Sequence, residues 1–492
     1  MKLINKTDNP NKLSIKEKLK FLFRDSLFFG GLKAVSMVFP LLTVPILTGY
    51  FSVENYGLYD SLLVLGVFLS SFLVFGQDSA VARWFYQVEE LKQKQKIVSE
   101  SLLIQLIFTI LIIPTLLIYR VELADFYLQK SSYSLHVLLI LVYCVLLLLN
   151  NFTINILKWT YDRKRYAIIA ILKPLLILLS LLLVIVSSGD LVDFLIYNNI
   201  ALLITTSISL FFCRKWIIIP KKLVYLKKML YYGLPLGLLA STATFLPAIQ
   251  RNMIAMFLDL YSVGIYALAF KIAAIVVMVD GIFHMAWGPF SMSIFKEKDA
   301  EFVYNAVLKI FFLVTIFTVF IIRLASPMLI ELLGTTEYSE AIVLILPLCL
   351  ALMINGISGI SGIGINLSMK SYLNLIPFTI SALLLTGLLY YLIPKYQLKG
   401  VVYSLLIANS IKMIVTSFIA RKAYKEIRIK FELIFVFYTF FGILYYCFFT
   451  LKIGVVINLI LVSLTFLLII FLFFNKLERD YFFKMLPRKK NK

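Results

Sequence analysis

The chain is built from long apolar blocks separated by short polar ones. Between Leu47 and Phe85 one apolar run ends, a polar turn follows over Ser52 to Leu58, and a second apolar run closes on the charged residues Asp78 and Arg83. Runs of about 20 apolar residues recur along the sequence, and each is long enough to cross roughly 30 Å of hydrocarbon as a helix. Barrel strands would alternate polar and apolar residues, which these runs do not. The pattern therefore predicts an all-α polytopic membrane protein.

The stretch that ends the first apolar run is repeated later in the chain. Its pattern returns 207 residues later as AMFLDLYSVGIYALAFKIAAIVVMV, so that Gly57 corresponds to Gly264 and Tyr59 to Tyr266. Spans of both copies leave and re-enter the membrane in the same sense. A repeat of this kind predicts two lobes related by an axis along the membrane normal, with a cleft between them.

We predict about fourteen transmembrane helices, arranged as two six-helix lobes and two further helices at the C-terminal end. The boundaries follow from the apolar runs and from the basic stretches between them. The predicted segments are a basic tail at 1–24, an N-lobe at 25–213, an amphipathic linker at 214–230, a C-lobe at 231–420, two helices within 421–474 and a basic tail at 475–492.

The net charge of +22 arises from basic residues whose distribution along the chain indicates its membrane topology. With the N-terminus in the cytoplasm, 36 of the 48 Lys and Arg lie in cytoplasmic tails and loops, 6 lie on the opposite side and 6 lie in spans. This positive-inside asymmetry predicts that both termini are cytoplasmic. The surplus also gives affinity for anionic membrane lipids, and we expect no nucleic-acid partner.

The linker mixes basic with apolar residues between Arg214 and Gly233. This pattern is typical of an amphipathic helix lying in the membrane interface. A basic loop that only obeys the topology rule is the alternative, and the sequence leaves both open.

Signals of enzyme chemistry are nearly absent from the sequence. His136 and His284 are the only histidines and stand outside any metal-binding spacing, the four cysteines lie singly, and no GxxxxGK[ST] phosphate loop occurs. The longest outward segment, Arg323 to Glu340, has only 18 residues. We therefore expect a protein that is not an enzyme and that carries neither a metal nor a cofactor.

Charged residues inside the predicted spans mark candidate functional positions, because a central Lys or Arg costs roughly 2.5 to 3.5 kcal/mol on insertion scales. Those within about two turns of a span end can reach the interface, and we favour structural roles for them. Arg251, Lys271 and Lys412 lie deeper. The members near span ends are Lys173, Lys309, Asp60 and Asp78.

Repeat position makes some of these residues candidates for an anion-binding cavity. Arg251, Lys271 and Lys33 lie on spans of the repeated unit, which flank the predicted cleft, and Lys412 is the next candidate. A low-dielectric cleft lined by cations favours an anion such as a pyrophosphate or an acidic sugar. The sequence contains no acid directly before Arg251, since Gln250 stands there.

Acidic residues and one histidine are candidates for gating or ion coupling. Asp280 and His284 share a helix face at i, i+4 spacing, so they can hold each other's charge or relay a proton, and a structural pair is the favoured interpretation. Asp78 with Arg83 is a candidate for a cytoplasmic gate, and Asp60 for a gate or for ion coupling. The glycine run from Gly356 to Gly364 predicts a helix-packing seam, with a bending stretch as the alternative.

Several motifs, in order along nearly the whole chain, carry a family resemblance. They are YFSVENYGLYDSL, GQDSAVARWFY, the stretch from Gly233 to Lys271, AWGPF and YSEAIVLILPL. The chain resembles the polysaccharide exporters of the multidrug/oligosaccharidyl-lipid/polysaccharide (MOP) superfamily, most closely the O-antigen type flippases. That family often has an acid before the arginine of the seventh span, so Gln250 is a departure, and the pairing that the acid provides must come from elsewhere.

The resemblance implies a V-shaped transporter of the bacterial inner membrane. It would turn a polyprenyl-pyrophosphate-linked oligosaccharide from the cytoplasmic to the outer leaflet by alternating access, with spans 434–474 outside the lobes guiding the lipid tail. It leaves open the glycan, the driving force (proton, sodium or membrane potential) and the oligomeric state. A polysaccharide polymerase or export complex is a further partner that it leaves open.

Three other functions remain as alternatives. A lipid II flippase would share the span count and the cationic cleft. A multidrug or cation exporter of the same superfamily would have about twelve spans and a cavity dominated by acids. A membrane-embedded glycan polymerase would need a large outward loop with catalytic residues, and the chain has no loop of that size.

Overall fold

The computed structural model describes residues 42–220, 222–297, 299–368, 370–427 and 429–430, with positions 32, 39, 40, 432, 460 and 464. Within this part the chain is helical and contains no strand. Eleven helical segments of the described part are long and apolar enough to cross a membrane. The protein is thus an all-helical, multi-pass membrane protein, as the apolar pattern predicts. Lys33 lies outside the described residues, as do the spans predicted over 434–474 apart from positions 460 and 464, so the count of about fourteen stays a prediction.

The described residues form two compact units, and each is treated by itself. The first unit contains the residues up to Gly264 together with Leu333–Thr335. It therefore contains the helix that follows the linker, whereas the predicted C-lobe starts at residue 231. The lobe boundaries stay a prediction. Besides a helical segment over 42–50, its helices are α1 (Val53–Val74), α2 (Gln77–Phe85), α3 (Leu91–Ile118), α4 (Arg120–Leu128), α5 (Ser134–Trp159), α6 (Arg163–Val186), α7 (Leu191–Cys213) and α8 (Leu226–Phe257).

Helix α1 is central to the first unit, where it packs against α5 and α8. It starts at the N-cap Ser52, whose side chain accepts a hydrogen bond from the backbone N–H of Asn55 at 3.3 Å. It ends at Phe75 and Gly76, which both have left-handed backbone conformations (φ 52° and 70°). A Cβ on Gly76 would overlap the carbonyl oxygen of Gly233 on α8, so this turn requires glycine.

This turn separates the second predicted span from its charged exit. The membrane-spanning helix ends at Val74, and Asp78 and Arg83 lie on the separate short helix α2. Helix α2 packs against α8 and α3, and these contacts position Asp78 and Arg83 beyond the end of α1. The sequence pattern does not show this break.

The linker does not form the amphipathic helix that its pattern suggests. Arg214–Trp216 is a single 3-10 turn, residues 217–220 are non-helical, and α8 begins only at Leu226. The helix interpretation is therefore wrong for the stretch before α8, because tertiary contacts replace the hydrogen bonds that a helix would supply.

Side chains of α3 supply those hydrogen bonds. The Ser99 hydroxyl accepts from the backbone N–H of Ile218 at 2.8 Å. The two carboxylate oxygens of Glu100 accept from the N–H groups of Val224 at 3.0 Å and Tyr225 at 2.7 Å. Glu100 is fully buried. A buried carboxylate at the start of a helix thus fixes the entry of the chain into α8.

The second unit contains Ile265–Leu332 and the described residues from Thr336 onward. Helix α14 is its centre and packs against α11 and α13. Its helices are α9 (Leu260–Ile294, which begins in the first unit), α10 (Ala300–Leu333), α11 (Ala341–Ser361), α12 (Ile363–Leu367), α13 (Leu375–Tyr396) and α14 (Leu398–Ala423).

The last two glycines of the run from Gly356 to Gly364 lie where the end of α11 and the short helix α12 meet α14. A Cβ on Gly362 would lie 2.6 Å from Cγ2 of Thr416, and one on Gly364 would lie 2.5 Å from the carbonyl oxygen of Ala420. Helix α14 therefore approaches this run more closely than any larger residue allows. This confirms the predicted packing seam.

Candidate functional site

Arg251 on α8 is bound to Asp60 on α1. Its Nε atom donates to Asp60 Oδ2 at 2.9 Å, and the two side chains are only 3% and 8% exposed. The pair exists because α1 and α8 pack directly against each other. Asp60 thus gives Arg251 an acidic partner that the neighbouring Gln250 cannot provide. Losing one member of such a buried pair costs about 3 to 5 kcal/mol, since the other charge is left uncompensated.

Helix α4 covers the region beside this pair. The Tyr127 hydroxyl lies 3.2 Å from the carbonyl oxygens of both Ser61 and Ala248, and it can donate to either. The Asn252 side chain donates to the carbonyl oxygens of Phe126 at 2.9 Å and of Tyr127 at 3.2 Å. Tyr127 and Asn252 therefore fasten α4 to α1 and α8. Sequence reasoning missed both, because one tyrosine and one asparagine among apolar residues give no distinct signal.

Lys412 on α14 is buried within the second unit. Its Nζ donates to Asn355 Oδ1 on α11 at 2.8 Å and lies 3.7 Å from the ring centroid of Phe378 on α13. The residue is 8% exposed. A neutral amide and an aromatic face orient the ammonium group, and neither of them carries a charge that would neutralise it. Neither Asn355 nor Phe378 stands out in the sequence.

Asp280 and His284 on α9 contact each other, as their spacing predicts. His284 Nε2 lies 3.0 Å from Asp280 Oδ1 and 3.3 Å from the carbonyl oxygen of Gly356. A Cβ on Gly356 would lie 2.5 Å from Asp280 Oδ1, and one on Gly359 would lie 2.7 Å from His284 Cε1. The glycines of α11 therefore make room for the pair. The pair is partly exposed, with 20% of Asp280 and 31% of His284 accessible.

Asp78 and Arg83 on α2 have different surroundings. The guanidinium carbon of Arg83 lies 4.5 Å from the ring centroid of Tyr232 and 5.8 Å from that of Trp84. Asp78 lines a cavity together with Asn155 of α5. Burial raises the pKa of Asp78, while the side chain of Asn155 and the charge of Lys158 act in the opposite direction. A gate role for Asp78 and Arg83 stays a prediction.

Lys271 is less enclosed than Arg251 and Lys412. Lys271 is exposed on α9, in the second unit. Arg251 lies in the first unit and Lys412 in the second. The assignment of these three residues and of Lys33 to one anion-binding cavity stays a prediction.

A family model described as "Polysaccharide biosynthesis protein" matches residues 22–295, which is more than half of the chain. The chain belongs to the polysaccharide biosynthesis protein family. The matched range contains Asp60, Asp78, Arg251 and the Asp280 and His284 pair, whereas Lys412 lies beyond it. The resemblance found in the sequence motifs is thereby confirmed. A comparison with curated protein sequences gives no match.

Solved structures share the fold of this polysaccharide biosynthesis protein. A structure titled "Lipid II flippase MurJ, inward closed conformation" has a TM-score of 0.68 at 15% identity, over 94% of this chain and 100% of that chain. An inward-facing multidrug resistance MATE family transporter of the MOP superfamily has a TM-score of 0.59 at 18% identity, over 79% and 97%. A MOP superfamily transporter from Pyrococcus furiosus, whose title reports a binding pocket of reverse polarity, has a TM-score of 0.55 at 18% identity, over 82% and 94%. The family member therefore has the MOP superfamily fold.

Proposed function

We propose that this family member is a flippase for a lipid-linked glycan. Its substrate would be a polyprenyl-pyrophosphate-linked oligosaccharide, such as a repeat unit of O-antigen or capsule, which moves from the cytoplasmic to the outer leaflet by alternating access. Both termini would lie in the cytoplasm and the protein in the bacterial inner membrane. Family membership, the shared fold and the basic-residue asymmetry support this assignment.

The observation that carries the proposal is the set of partners that the two buried cations, Lys412 and Arg251, have within the protein. Lys412 is held by a neutral amide and an aromatic ring, and Arg251 is held by a carboxylate. A diphosphate is a stronger acceptor for a guanidinium than one carboxylate, since it offers bidentate, charge-assisted hydrogen bonds. Arg251 and Lys412 would therefore bind the pyrophosphate, together with Lys271 and Lys33, and Arg251 would exchange Asp60 for phosphate oxygens.

The acidic candidates would take part in the transport cycle. Release of Asp60 from Arg251 would report that the headgroup is bound, and Asp280 with His284 would carry the coupling proton. Asp78 and Arg83 would belong to the cytoplasmic gate. The hydrocarbon tail would stay in the bilayer, and the C-terminal helices predicted within 421–474 would guide it.

A lipid II flippase is the second candidate. The structure titled as such is covered over its full length by this chain, which supports the same overall architecture. Both candidates would use the same diphosphate chemistry. The glycan that accumulates on loss of the protein distinguishes them.

The test is deletion of the gene in its native host, followed by quantification of surface polysaccharide and of inner-leaflet polyprenyl-linked oligosaccharide. We expect loss of the first and build-up of the second, both reversed by the intact gene. Accumulation of lipid II with arrested wall synthesis would support the second candidate. Unchanged glycans with heightened sensitivity to toxic cations would reject both.

A matched pair of variants connects this test to the cationic positions. Lys412→Met keeps the apolar stem and removes the charge, and Lys399→Met makes the same change at an exposed position on the same helix. We expect complementation by Lys399→Met and failure by Lys412→Met at equal membrane abundance. Full complementation by Lys412→Met would remove that residue from the binding set.

A further inference from the structure

A cavity of about 420 Å³ lies within the first unit, between α1, α2, α5 and α8. Its volume is in the range of small-molecule sites, which is roughly 300 to 1,000 Å³. It is separate from the Arg251 and Asp60 pair, and neither residue lines it. Its polar lining consists chiefly of Ser70, Ser71, Asp78, Asn151, Asn155 and Lys158.

The helix α5 supplies a polar stripe to this cavity. Asn151, Asn155 and Lys158 follow one another at i, i+4 and i+7, so they share one face of the helix. The stripe lies within the sequence NNFTINILK. Two of its three residues are neutral amides, so charged residues alone do not indicate it. The neighbouring Leu147 and Ile154 give the wall an apolar component.

Three of these polar groups combine opposite charges with an amide. Lys158 Nζ donates to Asn155 Oδ1 at 3.3 Å, and Asp78 lines the same cavity. The two charges offset each other, so the cavity combines donors and acceptors without a large net charge.

A buried hydroxyl in the wall adds an independent observation. Ser70 is 2% exposed, and its Oγ has no hydrogen-bond partner within the part of the chain that the structure describes. Other hydroxyls of the spans donate to the carbonyl four residues earlier, as Thr109 does to Gln105 and Ser241 to Gly237. Burying a hydroxyl without a partner is unfavourable, so the wall of the cavity contains a polar group whose hydrogen-bonding capacity the described residues leave unused.

The lining favours one ligand class over the others. A pyrophosphate requires an excess of cations, a metal ion requires oxygen ligands without an adjacent ammonium, and a lipid tail requires an apolar wall. A sugar ring presents hydroxyls that both donate and accept around an apolar C–H face, which matches serines, amides and a single ion pair beside aliphatic side chains.

We propose that this cavity is a sugar-binding subsite that holds a residue of the glycan, separate from the cations that would hold its diphosphate. The inference rests on the proposed flippase function, because that function supplies a glycan as substrate. The turn at Gly76 packs closely against the backbone of Gly233 and Gly237, which joins the cavity walls formed by α1 and α8. Discrimination between glycans would then depend on Asn155 and Asp78.

The experiment measures binding of free sugars to the full chain in nanodiscs by saturation-transfer difference NMR. The probes are glucose, galactose, N-acetylglucosamine and glucuronate, with inorganic pyrophosphate followed separately by ³¹P NMR. Empty nanodiscs give the background. The variants are Asn155→Leu, which keeps the size and removes the hydrogen bonds, and Asp78→Asn, which keeps the shape and removes the charge.

The matched control is Asp162→Asn. Asp162 caps α6 with its side chain, outside the cavity, and asparagine caps equally well. We expect saturable binding of at least one sugar, weakened at least tenfold by both cavity variants and unchanged by the control, with pyrophosphate binding retained throughout. Absence of sugar binding, or equal sugar binding by the wild type and both cavity variants, would overturn the subsite. So would pyrophosphate binding that both cavity variants abolish.

A separate measurement keeps this inference distinguishable from the proposed function. Translocation of lipid-linked oligosaccharide is followed in proteoliposomes with the same variants. Variant-sensitive sugar binding without translocation by the wild type would reject the flippase and retain the sugar site. Normal translocation by both cavity variants, with no sugar binding, would reject the sugar site alone.

Discussion

Gly57 and Gly264, which occupy equivalent positions of the sequence repeat, pack backbone against backbone. A Cβ atom on Gly57 would lie 2.6 Å from the backbone nitrogen of Gly264, and one on Gly264 would lie 2.8 Å from Cγ1 of Val53. Real Cβ atoms essentially never approach so closely. Glycine at position 57 therefore leaves room for the backbone of Leu260 and Gly264, and glycine at position 264 leaves room for Val53.

We expect Gly57→Ala and Gly264→Ala to destabilise the protein by about 1 to 3 kcal/mol each, since backbone atoms cannot yield to the added methyl group. Thermal unfolding of the detergent-solubilised protein measures the effect. Gly387→Ala is the control, because a Cβ there meets nothing within 4 Å and alanine favours a helix. Equal unfolding temperatures for all three variants would contradict the close packing.

A double-mutant cycle can separate the contribution of the Arg251 and Asp60 pair to stability from its role in glycan export. Arg251→Gln and Asp60→Asn alone should each cost about 3 to 5 kcal/mol, because each leaves a buried charge without its partner. The double variant should recover much of the stability and still fail to export glycan, if Arg251 binds the diphosphate. Export by the double variant at the wild-type level would show that the pair is structural.

The exposed pair of Arg165 and Asp162 is the matched control for this cycle. Their Nη1 and Oδ2 atoms are 3.3 Å apart, with half of the Arg165 side chain exposed. Because solvent screens such pairs, Arg165→Gln should change stability by less than about 1 kcal/mol. A larger loss of stability would mean that the assay does not distinguish a buried ion pair from an exposed one.

Glu100 should control the order of the linker before α8. Glu100→Ala removes the acceptor for the N–H groups of Val224 and Tyr225, and hydrogen bonds to charged groups contribute about 1.5 to 3 kcal/mol each. We expect faster trypsin cleavage at Lys215 and Lys222, both exposed. Glu89→Ala, at an exposed position just before α3, should leave the cleavage rate unchanged. An equal rate in Glu100→Ala would argue against the cap.

The contact between Asp280 and His284 should depend on the glycines of α11 that face it, Gly356 and Gly359. Gly356→Ala puts a methyl group 2.5 Å from Asp280 Oδ1 and should separate the pair. If the pair carries the coupling proton, this variant and Asp280→Asn should both lose the response of glycan translocation to an imposed proton gradient. Gly281→Ala, where a Cβ meets nothing within 4 Å, is the control on α9. A retained response in both test variants would remove the pair from the coupling mechanism.

The sequence by itself determined the membrane class, the helices, the repeat and the contact between Asp280 and His284. These features depend on hydropathy and on helical spacing, which are local properties of the chain. It did not determine the break at Gly76 or the non-helical linker, because contacts with α8 and α3 override the local pattern there.

Only the tertiary structure decided which residues meet across helices. Asp60 binds Arg251 from 191 residues away, Lys412 is held by Asn355 from 57 residues away, and Asp78 lines one cavity with Asn155 and Lys158. Each contact depends on how two helices are rotated and placed relative to each other. Side-chain packing over the whole interface fixes that rotation, and no single stretch of sequence contains it.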